Sequence, residues 1–218
     1  MLRIILIISS LAVIVLSAGC QRETNLFRIN EDYFPTPDTG SYWTYSNLQT
    51  NDHITVSVNE IDLFYEGRYC YQWIWNNENI YLWKDDNNIY SHQLRQKYFG
   101  GDGWDVENRW APLFRLPFLD GDQWQDNFHN SINILGDIFE IEVNTEVKIS
   151  LQGDVTTPAS NFSNCYKITY IRNIQEQSAL LGNLNEADSV YYWLAPGVGI
   201  VKFQDSTGVY SLTDYQFN

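Results

Sequence analysis

Between Phe139 and Leu151 apolar and polar residues alternate almost without fault. Phe139, Ile141, Val143, Val147, Ile149 and Leu151 take the odd positions, and Glu140, Glu142, Asn144, Glu146, Lys148 and Ser150 the even ones. Only Thr145 departs from the apolar set. A period of two predicts a strand with one buried and one wet face. At ~3.4 Å per residue the run spans roughly 44 Å. That exceeds the usual strand and suits a large curved sheet or half-barrel better than a small flat sandwich. Tyr42 to Leu48 reads as a strand. Ile54, Val56 and Val58 alternate, then the parity slips to Ile61 and Leu63, which predicts a bulge or a turn at Asn59-Glu60. Arg68–Trp75, Ile80–Trp83 and Ile89–Leu94 are parted by short turn sequences, as in an antiparallel meander. Further strands are expected at Asn161–Tyr170, on both sides of Pro196-Gly197, and at Gly208–Phe217. Phe99–Glu107 is glycine-rich and reads as a surface loop. Trp110–Phe118 holds two prolines and reads as an edge strand. Gln175–Asn185 predicts one short helix, limited by Gly182. The expected class is all-β and mainly antiparallel, a large curved sheet or half-barrel with at most one short helix, preceded by a helical signal peptide.

The first twenty residues follow a different pattern. Arg3 is followed by an apolar run, Ile4 to Leu16, broken only by Ser9 and Ser10. This is the layout of a secretory signal peptide, with an apolar run shorter than the ~20 residues of a spanning helix. Leu16-Ser-Ala-Gly-Cys20 resembles the bacterial lipobox, with Ser17 where a strict lipobox has leucine. The resemblance implies a lipid on Cys20, which becomes the first mature residue, and a membrane partner reached through that lipid. The expected organisation is a signal peptide over 1–19, a lipidated tether over 20–32 and a single antiparallel β domain over 33–218. Gln21 is similar to sorting signals that favour the outer membrane, facing the periplasm, in a Gram-negative host.

Composition narrows the partners. The chain carries a formal net charge of −14. This argues against nucleic acid, which needs a positive footprint, and against a body lying flat on anionic lipid. Cys70 and Cys165 remain beside Cys20. Outside the cytoplasm they could pair, adding about 4–5 kcal/mol on the chain-entropy account; equally they could be two buried free thiols. Aromatic residues make up 16% of the chain, which favours strands. Tyr69, Tyr71, Trp73 and Trp75 share a parity, with Tyr81 or Trp83 across the next hairpin. They are the candidate site for an acyl chain, a hydrophobic peptide or a sugar ring, against the alternative of cross-strand packing. Acid groups at Asp85/Asp86, Asp102/Asp105/Glu107 and Asp120/Asp122/Asp126 follow no EF-hand register and read as solvated turns. His53, His92 and His129 are scattered, and no nucleophile, phosphate-loop or metal motif occurs. Neither an enzymatic activity nor a cofactor is expected.

Three phrases carry a wider resemblance: Phe34-Pro…Gly40-x-x-Trp43, Thr157-Pro-Ala…Phe162-x-Asn-Cys165-Tyr166, and Tyr192-Trp-Leu-Ala-Pro-Gly-Val-Gly-Ile-Val-Lys202. Together they are similar to a family of uncharacterised bacterial secreted proteins and lipoproteins with a closing Ala-Pro-Gly-Val-Gly-x-Val motif. Ser160-Asn161 stand where that family has Gly-Thr. The resemblance implies a curved antiparallel sheet similar to lipoprotein-carrier half-barrels, and no activity. Two functions are therefore expected: a binding module for a hydrophobic ligand, or a structural or assembly lipoprotein that offers an aromatic face to an envelope protein or glycan.

Overall fold

The structure, a computed structural model, describes residues 32–99 and 101–218. The expected signal peptide, Cys20 and nearly all of the tether lie outside the described residues. Tyr33–Asn218 forms one compact unit. It contains twelve strands: β1 Tyr42–Ser46, β2 His53–Tyr65, β3 Arg68–Trp75, β4 Glu78–Lys84, β5 Asn88–Phe99, β6 Asp102–Arg115, β7 Gln123–Ile134, β8 Asp137–Thr156, β9 Asn161–Gln177, β10 Leu184–Ala195, β11 Gly199–Asp205 and β12 Gly208–Gln216. All twelve form one antiparallel sheet in the order β6-β5-β4-β3-β2-β1-β12-β11-β10-β9-β8-β7. Every neighbour in the sheet is a neighbour in sequence except β1 and β12, so the strands build two meanders joined where β1 pairs with β12.

The sheet curls until its edges, β6 and β7, approach each other. Arg109 on β6 reaches Asp126 on β7 at 2.7 Å, and the Asn130 side-chain amide of β7 donates to the Val106 carbonyl of β6 at 3.0 Å. The result is a nearly closed barrel, so the all-β expectation holds. The alternating stretch lies within β8, a strand of 20 residues paired to β7 and β9 along most of its length. At Asn59-Glu60 the bulge forms and not the turn, as a register shift between Val58 and Glu60.

Two expectations are corrected. No helix forms among the described residues. Gln175 and Glu176 continue β9, facing Glu142 and Ile141 of β8. Glu176 is buried there against Arg95 at 2.6 Å and Lys97 at 2.6 Å, a tertiary contact that outweighs local helix propensity. The stretch expected as a loop is mostly strand: β5 runs to Phe99, and β6 begins at Asp102 and carries Gly103 to Glu107. Gly103 pairs with Tyr98, and the Tyr98 ring lies so close that a Cβ at Gly103 would stand 2.9 Å from it.

The inward faces bury two apolar clusters. The larger is aromatic. Trp73 is stacked between Trp43 (ring centroids 4.8 Å apart) and Phe34 (5.2 Å). Trp43 Nε1 donates to the Val198 carbonyl and the buried Tyr45 hydroxyl to that of Ile200, whereas Trp124 Nε1, in the same cluster, is buried without a partner among the described residues. Tyr33 and Phe34, ahead of β1, are buried in this cluster, with the Tyr33 hydroxyl donating to the Asn164 carbonyl. The same segment crosses Gly199, where an added Cβ would meet Pro35 only in ordinary contact at 3.5 Å, so it is the φ of 88° that favours glycine. The smaller cluster comprises Val106, Ile134, Phe139, Ile141, Val143 and Ile174.

Cys70 and Cys165 are free thiols, so of the two sequence alternatives the structure has the unpaired one. Five strands lie between β3 and β9 in the sheet. Each thiol instead approaches a local carbonyl at 3.4 Å, Cys70 that of Leu63 and Cys165 that of Phe162. Burial pushes the Cys165 thiol up to about 11. Both should therefore resist a thiol reagent near pH 8 in the folded protein and react once it is unfolded. The melting temperature should be the same with and without reductant. A fall of several degrees on adding dithiothreitol would instead reveal a stabilising disulfide.

Candidate functional site

The two clusters are separated by a belt of polar residues inside the barrel. On β9 the inward residues run Ile168, Tyr170, Arg172 and Ile174, and on β8 they run Ile149, Val147, Thr145 and Val143. On β7 they run Trp124, Asp126 and Phe128. Strand pairing sets the polar members level with one another: Asp126 faces Thr145, Thr145 faces Arg172, and Arg172 faces Asp188 of β10. Thr145 is the one fault in the alternation of β8 because it sits in this belt.

Across the interior, β6 supplies Glu107, whose side chain is 0% exposed. It accepts from Arg109 at 3.1 Å and from Arg172 through a short contact. Arg109 also holds Asp126. Burial disfavours the charge on Arg109, but the hydrogen bond and charge of Asp126, with Glu107 behind them, outweigh it and raise the guanidinium pKa above its usual value. Further along, Arg95 bridges Glu176 and Glu186, at 2.6 and 2.8 Å. The two arginines of the belt are thus engaged by carboxylates of the protein.

Beside the belt lies a cavity of about 570 Å³, open at one side. That size lies within the range of small-molecule sites. Its apolar wall is Phe34, Trp73, Trp75, Leu82, Tyr192 and Phe203; its polar wall includes Ser91, Gln93, Tyr170, Arg172 and Asp188. Glu78 and Asp188 are exposed and so stand at its mouth. The structure thus provides an apolar hollow ending in hydrogen-bonding groups, the form taken by sites for amphipathic molecules.

The predicted aromatic stripe is divided. Trp73 and Trp75 line the cavity. Tyr71 is partly buried and packs on the larger cluster without reaching the cavity. Tyr69 is 70% exposed and leans on Phe64, with ring centroids 5.1 Å apart. Trp83 lies on the opposite face of β4 from Leu82; it stacks on Tyr90 at 4.5 Å and carries the Arg68 guanidinium at 4.3 Å. Equal parity on β3 did not produce one binding face, because Tyr69 lies beyond the buried length of the strand. Cavity residues outside that stripe include Tyr170, Arg172, Asp188, Tyr192 and Phe203, from β9–β11. Phe34, Tyr192 and Ile200 lie in the phrases of the family resemblance and Tyr170 ends an expected strand, but no sequence signal marks any of them as part of a site.

A second aromatic group lies on the outer face. Tyr65 stacks on Tyr81 with ring centroids 3.8 Å apart, and His92 meets Tyr65 at 5.0 Å and Trp110 at 5.2 Å. The acids read as turns are largely engaged: Asp85 accepts the backbone N–H groups of Asn87 and Asn88, which lowers its carboxyl pKa, and Asp120 accepts that of Leu151. Glu107 and Asp126 depart from that reading and belong to the interior belt. Among the described residues no group of three His, Cys, Asp or Glu could hold a metal ion.

Fold and cavity thus describe a barrel-like antiparallel sheet with an internal hollow. No family model, curated protein or solved structure matches the chain.

Proposed function

We propose that this protein is a cell-envelope lipoprotein that binds a small amphipathic ligand inside its barrel. The observation that carries the reading is the cavity of about 570 Å³ with aromatic rings on one wall and the polar belt on the other. An apolar body lies against Trp73, Trp75 and Phe203, and a polar end reaches Tyr170, Arg172 and Asp188. Burial of apolar surface at ~25 cal/mol per Å² supplies most of the affinity, and the polar end supplies orientation. The lipid on Cys20 holds the body at the membrane, in the outer membrane facing the periplasm if the host is Gram-negative. No catalytic role is proposed.

Native mass spectrometry of the full chain released from its own host membrane tests the ligand. A bound small molecule is expected, and it should be depleted in Trp75→Ala while the fold stays intact by circular dichroism. A clean apo mass for both proteins would defeat the reading. The anchor is tested separately: palmitate label should enter the wild type and be lost in Cys20→Ala.

One observation favours a second reading. Phe64, Tyr69 and Tyr98 are exposed by 62%, 70% and 67%, which would suit docking to an envelope protein or glycan. Cross-linking in the host, with Tyr69→Ser as comparison, separates the two: capture that depends on Tyr69, with an empty cavity, favours the assembly role.

A further inference from the structure

The charge of the cavity wall and one hydroxyl within it bear on what the ligand is. Four ionisable side chains other than tyrosine line the cavity: Glu78, Arg172, Asp188 and Asp205. Arg172, the one cation, is already held by Glu107. Asp205 uses Oδ1 to accept the backbone N–H groups of Thr207 and Gly208 and the Thr207 hydroxyl, which leaves Oδ2 without a hydrogen bond among the described residues. Asp188 stands opposite Arg172 in the ladder but makes no ion pair with it. An anionic head group entering here would meet three carboxylates and a guanidinium that is already neutralised.

Tyr192 points the same way from a different direction. Its ring lies in the apolar wall, edge-on to Phe114 at 5.6 Å. Its hydroxyl has no hydrogen-bond partner among the described residues, whereas the buried Tyr45 hydroxyl has one. Burial raises the Tyr192 pKa well above that of a free phenol, with Tyr170, Asp205 and Asp188 adding to the shift in that order, so the group is a neutral hydroxyl with both carboxylates nearby. Tyr192 is only partly buried and that unpartnered hydroxyl opens into the cavity, so a ligand group entering there can take its hydrogen bond. Aromatic faces attract cations as well.

We infer that the barrel interior selects a cationic amphiphile, an alkyl or aryl ammonium whose N–H groups meet the Tyr192 hydroxyl and the carboxylates of Asp188 and Asp205 while its apolar part lies on Trp73, Trp75 and Phe203. This rests on the ligand-binding reading above. The protein's overall negative charge draws cations to its surface in any case, so the test has to separate the cavity from the general field.

Calorimetric titration of the full chain in an uncharged detergent does so with three probes on one scaffold: phenylbutylamine, phenylbutanol and phenylvalerate, near neutral pH. The amine should bind at least tenfold more tightly than the carboxylate, about 1.4 kcal/mol, with the alcohol between them. Asp188→Asn/Asp205→Asn should remove most of that tenfold preference. Glu140→Gln/Glu142→Gln, on the outer face of β8, should leave it unchanged. Tyr192→Phe should weaken the amine and the alcohol severalfold. Equal or tighter binding of the carboxylate, or a preference that both double variants reduce alike, overturns the inference. If the alcohol binds and the amine does no better, only the charge selection falls. If none of the three binds, the cavity-binding reading falls with it.

Discussion

Replacing Glu107 by alanine should lower the stability of the folded protein by about 3–5 kcal/mol, the usual penalty for removing one partner of a buried ion pair. Glu107 is fully enclosed and stands between Arg109 and Arg172. In the variant Arg109 keeps Asp126, but Arg172 loses its salt-bridge partner within a strand that is covered on its inward face. The cost should appear as a lower denaturation midpoint with an unchanged slope, and as a fall of roughly 6–20 °C in melting temperature for a domain of this size. Glu107→Gln keeps the shape but only one acceptor oxygen, and its NH2 group faces the other arginine, so it should recover only part of the loss. Equal costs for the two variants would show that the negative charge decides the effect and that side-chain packing adds nothing, whereas a glutamine variant as stable as the wild type would show that the charge is irrelevant. A loss below 1 kcal/mol in the alanine variant would show that the belt is wet rather than buried.

Trp73→Ala should cost about as much, roughly 3–5 kcal/mol, through a different mechanism. The ring fills the space between Trp43 and Phe34 and forms part of the cavity wall. Without it Phe34 loses its stacking partner, and the segment ahead of β1 loses a main reason to stay packed in the barrel. Hydrogen exchange should therefore rise at residues 33–38 more than along β8. Binding of the apolar body should weaken in the same variant. Uniform exchange along the whole chain would instead mean that Trp73 stabilises the barrel globally and does not hold that segment in particular.

Much of the fold was legible because it is local. A period of two, a parity slip at Asn59-Glu60 and turn residues at 66–67 and 85–88 are short-range signals. They point to strands and antiparallel pairing because a hairpin joins residues close in sequence. The helix expected at Gln175–Asn185 failed for the opposite reason. Glu176 is held by Arg95 and Lys97, some eighty positions earlier, and no local propensity reports that contact. The aromatic stripe was half right. Parity put Trp73 and Trp75 on the inward face, but where the buried length of β3 ends depends on what packs above it, and Tyr69 lies past that point. Asp126 and Glu107 looked like the acids of surface turns, since each is polar and lies near others. Only the approach of β6 to β7 turns them inward.

By itself the sequence determined the all-β class, most of the strand positions, the parity slip in β2 and the exceptional length of β8, because each depends on neighbours a few residues apart. It also marked the belt, through the lone polar residue Thr145 in an apolar row, without saying what the mark meant. The tertiary structure alone decided that the sheet curls into a nearly closed barrel, that Cys70 and Cys165 stay free thiols with five strands between theirs, and that Tyr192, Asp188 and Asp205 meet Trp73 and Trp75 around one hollow. These are contacts between distant strands, set by how twelve strands curl around two clusters, and no stretch of the chain carries that information alone.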